Sequence, residues 1–360
     1  MSSHRFVVGR ILATLLALAL VPAHGHAQGA LGPIPTDPNL KVAFIGDSGS
    51  GDGFRRVLEL IKSERADLVL HQGDFDYAEN ARGFFQTIDS VLGRDFPYFA
   101  SVGNHDTDNW RENCWDRDGC YARFLKARMA RLGVTPDDPD LDDQMYSVTY
   151  RGLRLVFVGE GGVRAGDKRY APYIQKQLAT DAHLWKICSW HKNQRAMQVG
   201  DKDDETGWSV YETCKDLGAI IATAHEHSYQ RTRTLTSIRD QVVDASCPDP
   251  NAICIARGNP GKSFVFVSGL GGQSVREQVR CLPATFPYGC KGEWAKIYTT
   301  NQRATFGALF VVFNVDGDPT RAQGYFKNID GQIVDRFDIT ADASAAMRRA
   351  RGTSSVTSRP

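Results

Sequence analysis

The pattern of this chain predicts an α/β fold with two sheet layers, on three observations. Short apolar runs alternate with segments of helical periodicity between residues 41 and 102, as β-α-β units require. Each of the three runs stops at a glycine followed by a polar residue: Gly46-Asp47, Gly73-Asp74 and Gly103-Asn104. Farther on, runs over 145–150 and 153–158 flank Arg151-Gly152 and read as an antiparallel hairpin that opens a second sheet.

Taken in order, residues 1–27 read as an export signal. His4, Arg5 and Arg10 precede an apolar run over 11–21, and Gly25-His26-Ala27 offers a small-residue cleavage site. The run is too short for an ordinary membrane span, so the mature protein is expected to start near Gln28, to keep no stable span, and to work in a secreted or periplasmic setting. A strand over 41–45 then ends at Gly46-Asp47-Ser48-Gly49, and Phe54, Val57, Leu58 and Ile61 recur at helical spacing behind it. The run 67–72 leads to Gly73-Asp74-Phe75-Asp76-Tyr77, a helix is expected over 81–92, and the strand 97–102 ends at Gly103-Asn104-His105-Asp106. In a parallel sheet these three ends lie side by side along one edge.

Residues 109–143 read as a surface excursion with one helix over 121–132. A helix near 172–182 leads to the strand 184–190 and His191; a helix over 208–217 leads to the strand 219–224 and His225-Glu226-His227. The strand-rich remainder, including 264–267 before Ser268-Gly269-Leu270-Gly271-Gly272, is expected to complete the second sheet. Residues 341–360, rich in Ala, Ser, Thr and Arg, read as a disordered tail.

Composition narrows the function. With 42% hydrophobic residues in 360, the chain can bury a large core, and its net charge of +1 offers no electrostatic footprint for nucleic acid. The eight cysteines fit an oxidising compartment. Three pairs are close in sequence, Cys114 with Cys120, Cys247 with Cys254 and Cys281 with Cys290, and read as loop staples. Cys188 and Cys214 are left either to pair or to stay as buried thiols.

The strand ends collect Asp47, Asp74, Tyr77, Asn104, His105, His191, His225 and His227. These are oxygen donors for hard ions and imidazoles for borderline ones, with Asp74 placed to bridge two ions. Singly, each has a plain structural reading, as a cap, a turn former or a core histidine. Their order is harder to dismiss, and it resembles the calcineurin-like metallophosphoesterases. A tyrosine at position 77 narrows the likeness to the purple acid phosphatases.

The resemblance implies a four-layer α/β/β/α sandwich over 28–340 with a dinuclear metal site at the strand ends. By position, Asp47, Tyr77 and His227 would bind Fe(III); Asn104, His191 and His225 would bind a divalent Zn, Mn or Fe ion; and Asp74 would bridge them. His105 would bind the phosphate or protonate the leaving group. The implied reaction is hydrolysis of phosphate monoesters, with two cations clamping a phosphate oxygen and activating a water for in-line attack. Two departures stand out: Ala224 replaces the glycine usual before His-x-His, and Lys192 follows His191 where a second histidine is usual. The alternatives are a phosphodiesterase on the same metals and a non-catalytic extracellular binding protein that retains the fold.

Overall fold

A computed structural model of the protein describes residue 1 and residues 33–111, 120–137, 144–159 and 166–344. The first unit runs β1 (Leu40–Ile45), α1 (Asp52–Ser63), β2 (Leu68–His71), α2 (Ala81–Val91), β3 (Tyr98–Ala100) and α3 (Tyr121–Arg131). Next come β4 (Tyr146–Tyr150), β5 (Leu153–Phe157), α4 (Ala171–Leu178), β6 (Trp185–Ser189), α5 (Trp208–Asp216) and β7 (Ile220–Thr223). The strands that follow are β8 (Tyr229–Thr232), β9 (Leu235–Ser237), β10 (Val242–Val243), β11 (Ala252–Ile255), β12 (Val265–Ser268) and β13 (Trp294–Tyr298). The last three are β14 (Gly307–Phe313), β15 (Arg321–Asn328) and β16 (Ile333–Ala341).

Two seven-stranded sheets result, ordered β11-β16-β15-β14-β1-β2-β3 and β13-β8-β12-β7-β6-β5-β4. The strands β1, β2 and β3 are parallel, as are β5, β6, β7 and β12. Parallel strands covered on both faces read as unbroken apolar runs, which is why β1, β2 and β7 lack alternation. The helix α1 turns Phe54, Val57, Leu58 and Ile61 inward, carries Asp52 in its first turn and Lys62 in its last, and is followed by Arg65 at φ 54°. Asn80 caps α2 by accepting the Gly83 N–H at 2.9 Å.

The sheets pack face to face. Phe44 of β1 meets Phe266 of β12 edge-on at 5.0 Å between ring centres, and Trp185 of β6 meets Phe313 of β14 at 5.2 Å. Polar links cross the same interface: Ser268 Oγ donates to the Phe44 carbonyl at 2.9 Å, and the Tyr146 hydroxyl to that of Ala100 at 2.7 Å. One core joins both sheets with α1, α2 and α3, and a second packs α4 and α5 on the outer face of the β4–β7 sheet. The architecture is the expected α/β/β/α sandwich.

The C-terminal strands correct one expectation. β12 and β13 do complete the second sheet, but β14, β15 and β16 extend the first. β14 pairs antiparallel with β1, from Leu40↔Phe313 to Phe44↔Leu309. One edge of β1 is taken by β2, and the all-apolar β14 covers the other; periodicity cannot say which open edge a strand will take. At the chain end β16 runs on through Ala341, whose N–H donates to the Thr320 carbonyl at 2.9 Å, and residues 345–360 lie outside the described residues.

Disulfides join Cys188 to Cys214, Cys247 to Cys254 and Cys281 to Cys290. The first resolves the open question about Cys188 and Cys214, and it ties α5 to β6 three residues before His191. Cys114 lies outside the described residues, as does the export signal expected over 1–27 except for Met1. Among the described residues, no helix is long and apolar enough to cross a membrane.

Candidate metal centre

The C-terminal ends of β1, β2, β3, β6 and β7 meet at one end of the sandwich, and glycine makes the approach possible. A Cβ on Gly73, which sits at φ 87°, would fall 2.6 Å from the Gly103 nitrogen; one on Gly103 would fall 2.1 Å from the Asp74 nitrogen. The loops after β2 and β3 therefore touch backbone to backbone. Past β1, the N–H groups of Asp47 and Ser48 donate to the carbonyls of Gly73 and Asp74 at 3.1 and 3.0 Å. Asp47, Asp74, Tyr77 and His225 all adopt the left-handed backbone region, with φ of 55°, 56°, 56° and 68°.

Three of the expected donors form a tight triangle. Tyr77 Oη stands 3.1 Å from Asp47 Oδ1 and 3.1 Å from His227 Nε2, and that nitrogen is 3.3 Å from Asp47 Oδ1. These edges are those of donor atoms sharing one ion at about 2.0–2.2 Å. The second group stands beside it. His191 Nε2 is 3.2 Å from Asp74 Oδ2 and 3.0 Å from His225 Nδ1, and one donor atom from each of these three residues falls within 4.8 Å of the others. The link between the groups is short, with His191 Nε2 4.0 Å from Asp47 Oδ1.

Asn104 brings to this end a buried Oδ1 with no hydrogen-bond partner. An amide oxygen left so is costly unless something accepts its lone pairs. His105 is exposed, with its ring 4.5 Å from that of Tyr77 and its backbone N–H donating to Asp74 Oδ1 at 3.0 Å. All seven expected ligands and His105 thus come from five chain segments to one place, and the donor chemistry fits two metal ions.

The histidine rings are oriented from behind. His191 Nδ1 donates to the Gln72 carbonyl at 2.8 Å, which turns Nε2 inward, and His227 Nδ1 meets Ser274 Oγ. His225 is reversed: its Nε2 faces Glu205 Oε2 at 3.0 Å and Nδ1 points inward. His71 lies behind the cluster, bonded to Ser48 Oγ at 2.6 Å, and burial pushes it down to about 3. His183 is half-buried against Asp181, away from the cluster's donor atoms.

Sequence reasoning missed four supporting residues. Asp106 accepts backbone N–H groups from Asp74, Phe75 and Gly103 at 2.8, 2.9 and 2.7 Å. Asp76 accepts from the Ala78 and Asn80 amides and from the Tyr121 hydroxyl at 2.6 Å, so a helix of the supposed surface excursion braces the loop carrying Tyr77. Both acids stand inside the two motifs, and their position there was the available signal. Glu205 and Ser274 belong to loops whose sequence carries none.

The electrostatics are those of a site dominated by carboxylates. Burial works against charge on Asp47, but His227 and His191 outweigh it and hold the carboxyl below its usual range. Burial likewise opposes a charged His191, yet Asp74 and Asp47 push that imidazole up to about 9. Burial, then the carboxylates of Asp47 and Asp74, push the Tyr77 phenol far above its ordinary value.

The family profile described as Calcineurin-like phosphoesterase matches residues 40–229, more than half of the chain. The chain belongs to that family. The match spans the strands and loops that carry all seven expected metal ligands and His105, and membership implies metal-dependent hydrolysis of phosphoric esters at a dinuclear metal site. Among solved structures, the purple acid phosphatase PPD1 from yellow lupin (Lupinus luteus) seeds is similar over 88% of this chain, with 18% identity and a TM-score of 0.61. The likeness covers 56% of the lupin chain, so this phosphoesterase spans little more than half of that protein's length. PhoD is similar over 87% of this chain and 72% of its own, with 11% identity and a TM-score of 0.50. At these identities the likeness is one of fold. No curated protein sequence matches the chain significantly.

Proposed function

We propose that this phosphoesterase is an exported acid phosphatase acting on phosphate monoesters. The observation that carries this reading is the triangle of Asp47 Oδ1, Tyr77 Oη and His227 Nε2, with sides of 3.1 to 3.3 Å. A free phenol ionises only at about pH 10, so a tyrosine oxygen joins a donor set only for a strongly Lewis-acidic ion, and Fe(III) is the assignment. Asn104 Oδ1, His191 Nε2 and His225 Nδ1 would hold a divalent Zn, Mn or Fe ion, with Asp74 bridging. When bound, the pair supplies positive charge for the phosphoryl oxygens and an activated water nucleophile.

The chain's own residues would do the rest. Gln72 and Ser274 fix the rings of His191 and His227, and Glu205 stands against that of His225, so that the donor atoms need little reorganisation. His105, exposed beside Tyr77, would give its proton to the leaving alkoxide, a role worth about 10²–10⁴-fold. The three disulfides among the described residues support an oxidising, extracytoplasmic setting.

Metal analysis and the visible spectrum of the purified protein test the reading, with Tyr77→Phe alongside and matched mono- and diester assays at acid pH. About two metals per chain, a broad visible band lost in the variant and faster monoester turnover are the expected results. Two metals without colour would remove the iron–phenolate assignment. A diester preference would replace the monoesterase reading with the phosphodiesterase one.

A further inference from the structure

A cleft of about 560 Å³, lined by Glu226, Lys202 and Arg276 together with Gly200 and Val275, adjoins the candidate metal centre. Glu226 stands between His225 and His227 in the chain, so the cleft and the donor cluster share one stretch of backbone. The Glu226 side chain is 1% exposed, and neither carboxylate oxygen has a hydrogen-bond partner. Arg276 Nη1 is 3.6 Å from Oε2, beyond hydrogen-bond reach. A Cβ on Gly200 would fall 2.3 Å from the carboxylate carbon, so the opposite wall presses directly on this acid.

Arg276 is positioned by its backbone, whose N–H donates to the His227 carbonyl at 2.8 Å, while its side chain stays 39% exposed. Lys202 is half-buried, and burial and the nearby Arg276 both work against its charge, with Glu226 and Glu205 opposing them. The remaining charged lining residues, Asp201 and Glu277, are exposed, where water and salt screen them. Two cations thus line the cleft beside the buried Glu226, and Arg276 Nη1 spends one donor on the His225 carbonyl at 3.5 Å. An anion between them would relieve their repulsion and complete their hydrogen bonding.

We infer that this cleft receives the leaving group, and that it selects esters whose leaving group carries a second anionic group, a carboxylate or another phosphate, held by Lys202 and Arg276. Glu226 is a positioning residue that keeps Arg276 over the cleft. The inference rests on the phosphomonoesterase reading, since the ester's phosphoryl end must lie at the donor cluster for its other end to reach Lys202.

Ethyl phosphate, phosphoglycolate and the bisphosphate of ethylene glycol differ in the group at the far end of a two-carbon leaving group. The metal-loaded protein is expected to favour one or both of the doubly anionic esters by about tenfold or more in kcat/KM. Lys202→Met and Arg276→Gln should each cut that preference about tenfold, mainly through KM, with Arg276→Lys restoring part of it. Equilibrium binding of phosphonoacetate, compared with ethylphosphonate, should show the same discrimination without turnover. Preference for phosphoglycolate alone identifies a carboxylate, and preference for the bisphosphate alone a phosphate. Equal use of all three esters, or variants that slow all three alike, would overturn the inference and leave the monoesterase reading standing. Failure to hydrolyse any of the three with both metals present would overturn both.

Discussion

The Asp106 carboxylate accepts the backbone N–H of Asp74 at 2.8 Å, so the residue proposed to bridge two ions is held by one proposed to touch neither. With Phe75 and Gly103 as its other donors, Asp106 binds the loops after β2 and β3 into one unit. Asp106→Asn places an amide NH₂ against those donors and frees one of them. Metal affinity is expected to fall about 10–100-fold, read by titrating metal-free protein with zinc while circular dichroism confirms the fold. Unchanged affinity would show that the loops keep their place without the clamp.

Gly46 and Ala224 meet across the two sheets at the same end of the molecule. A Cβ at position 46 would fall 2.4 Å from the Ala224 Cβ, closer than carbon atoms approach. Gly46→Ala should therefore cost about 1–3 kcal/mol in denaturant unfolding. Adding Ala224→Gly should recover most of the loss, because the clash involves only these two methyl positions. If the double variant is no more stable than Gly46→Ala, the backbone at position 46 is at fault and the contact is not.

Arg231 of β8 and Asp335 of β16 bind the two sheets together. The guanidinium donates to both carboxylate oxygens at 2.7 and 3.0 Å and lies over the Phe337 ring, and Tyr229 adds its hydroxyl at 2.8 Å. Burial opposes the charge on Asp335, but Arg231 outweighs it and holds the carboxyl below its ordinary value. A lowered folded-state value means that this stabilisation is present above the unfolded carboxyl's pKa of about 4 and is lost as pH falls through the folded value. Asp335→Asn leaves a buried guanidinium half-paired and should cost about 3–5 kcal/mol at neutral pH. The gap between variant and wild type in denaturant midpoint should narrow below pH 4 or so; a gap that stays constant down to pH 2 or so would contradict this linkage.

What was legible in the sequence was local. The donors Asp47, Asp74, Asn104, His191 and His225 each follow an apolar run directly, so strand ends could be read from neighbouring residues alone, and the structure brings them to one end of the sandwich. Long-range choices were not legible. Nothing near β14 says that it pairs with β1 and not with the second sheet. Likewise Glu205 and Ser274 become neighbours of His225 and His227 only when distant loops fold back. Ala224, which departs from the usual glycine, also has its explanation far away in the chain, since the missing side chain of Gly46 makes room for its methyl.

The left-handed conformations of Asp47, Asp74, Tyr77 and His225 set folding against the proposed metal binding. Each costs a side-chain-bearing residue roughly 1–2 kcal/mol relative to glycine. Together that approaches the whole net stability of an ordinary domain, about 5–15 kcal/mol. A library of this protein selected only for heat resistance should therefore drift towards glycine at these four positions and lose its donors as it does so. Selection for turnover would hold the aspartates, the tyrosine and the histidine in place, and would collect its stabilising changes elsewhere in the sandwich.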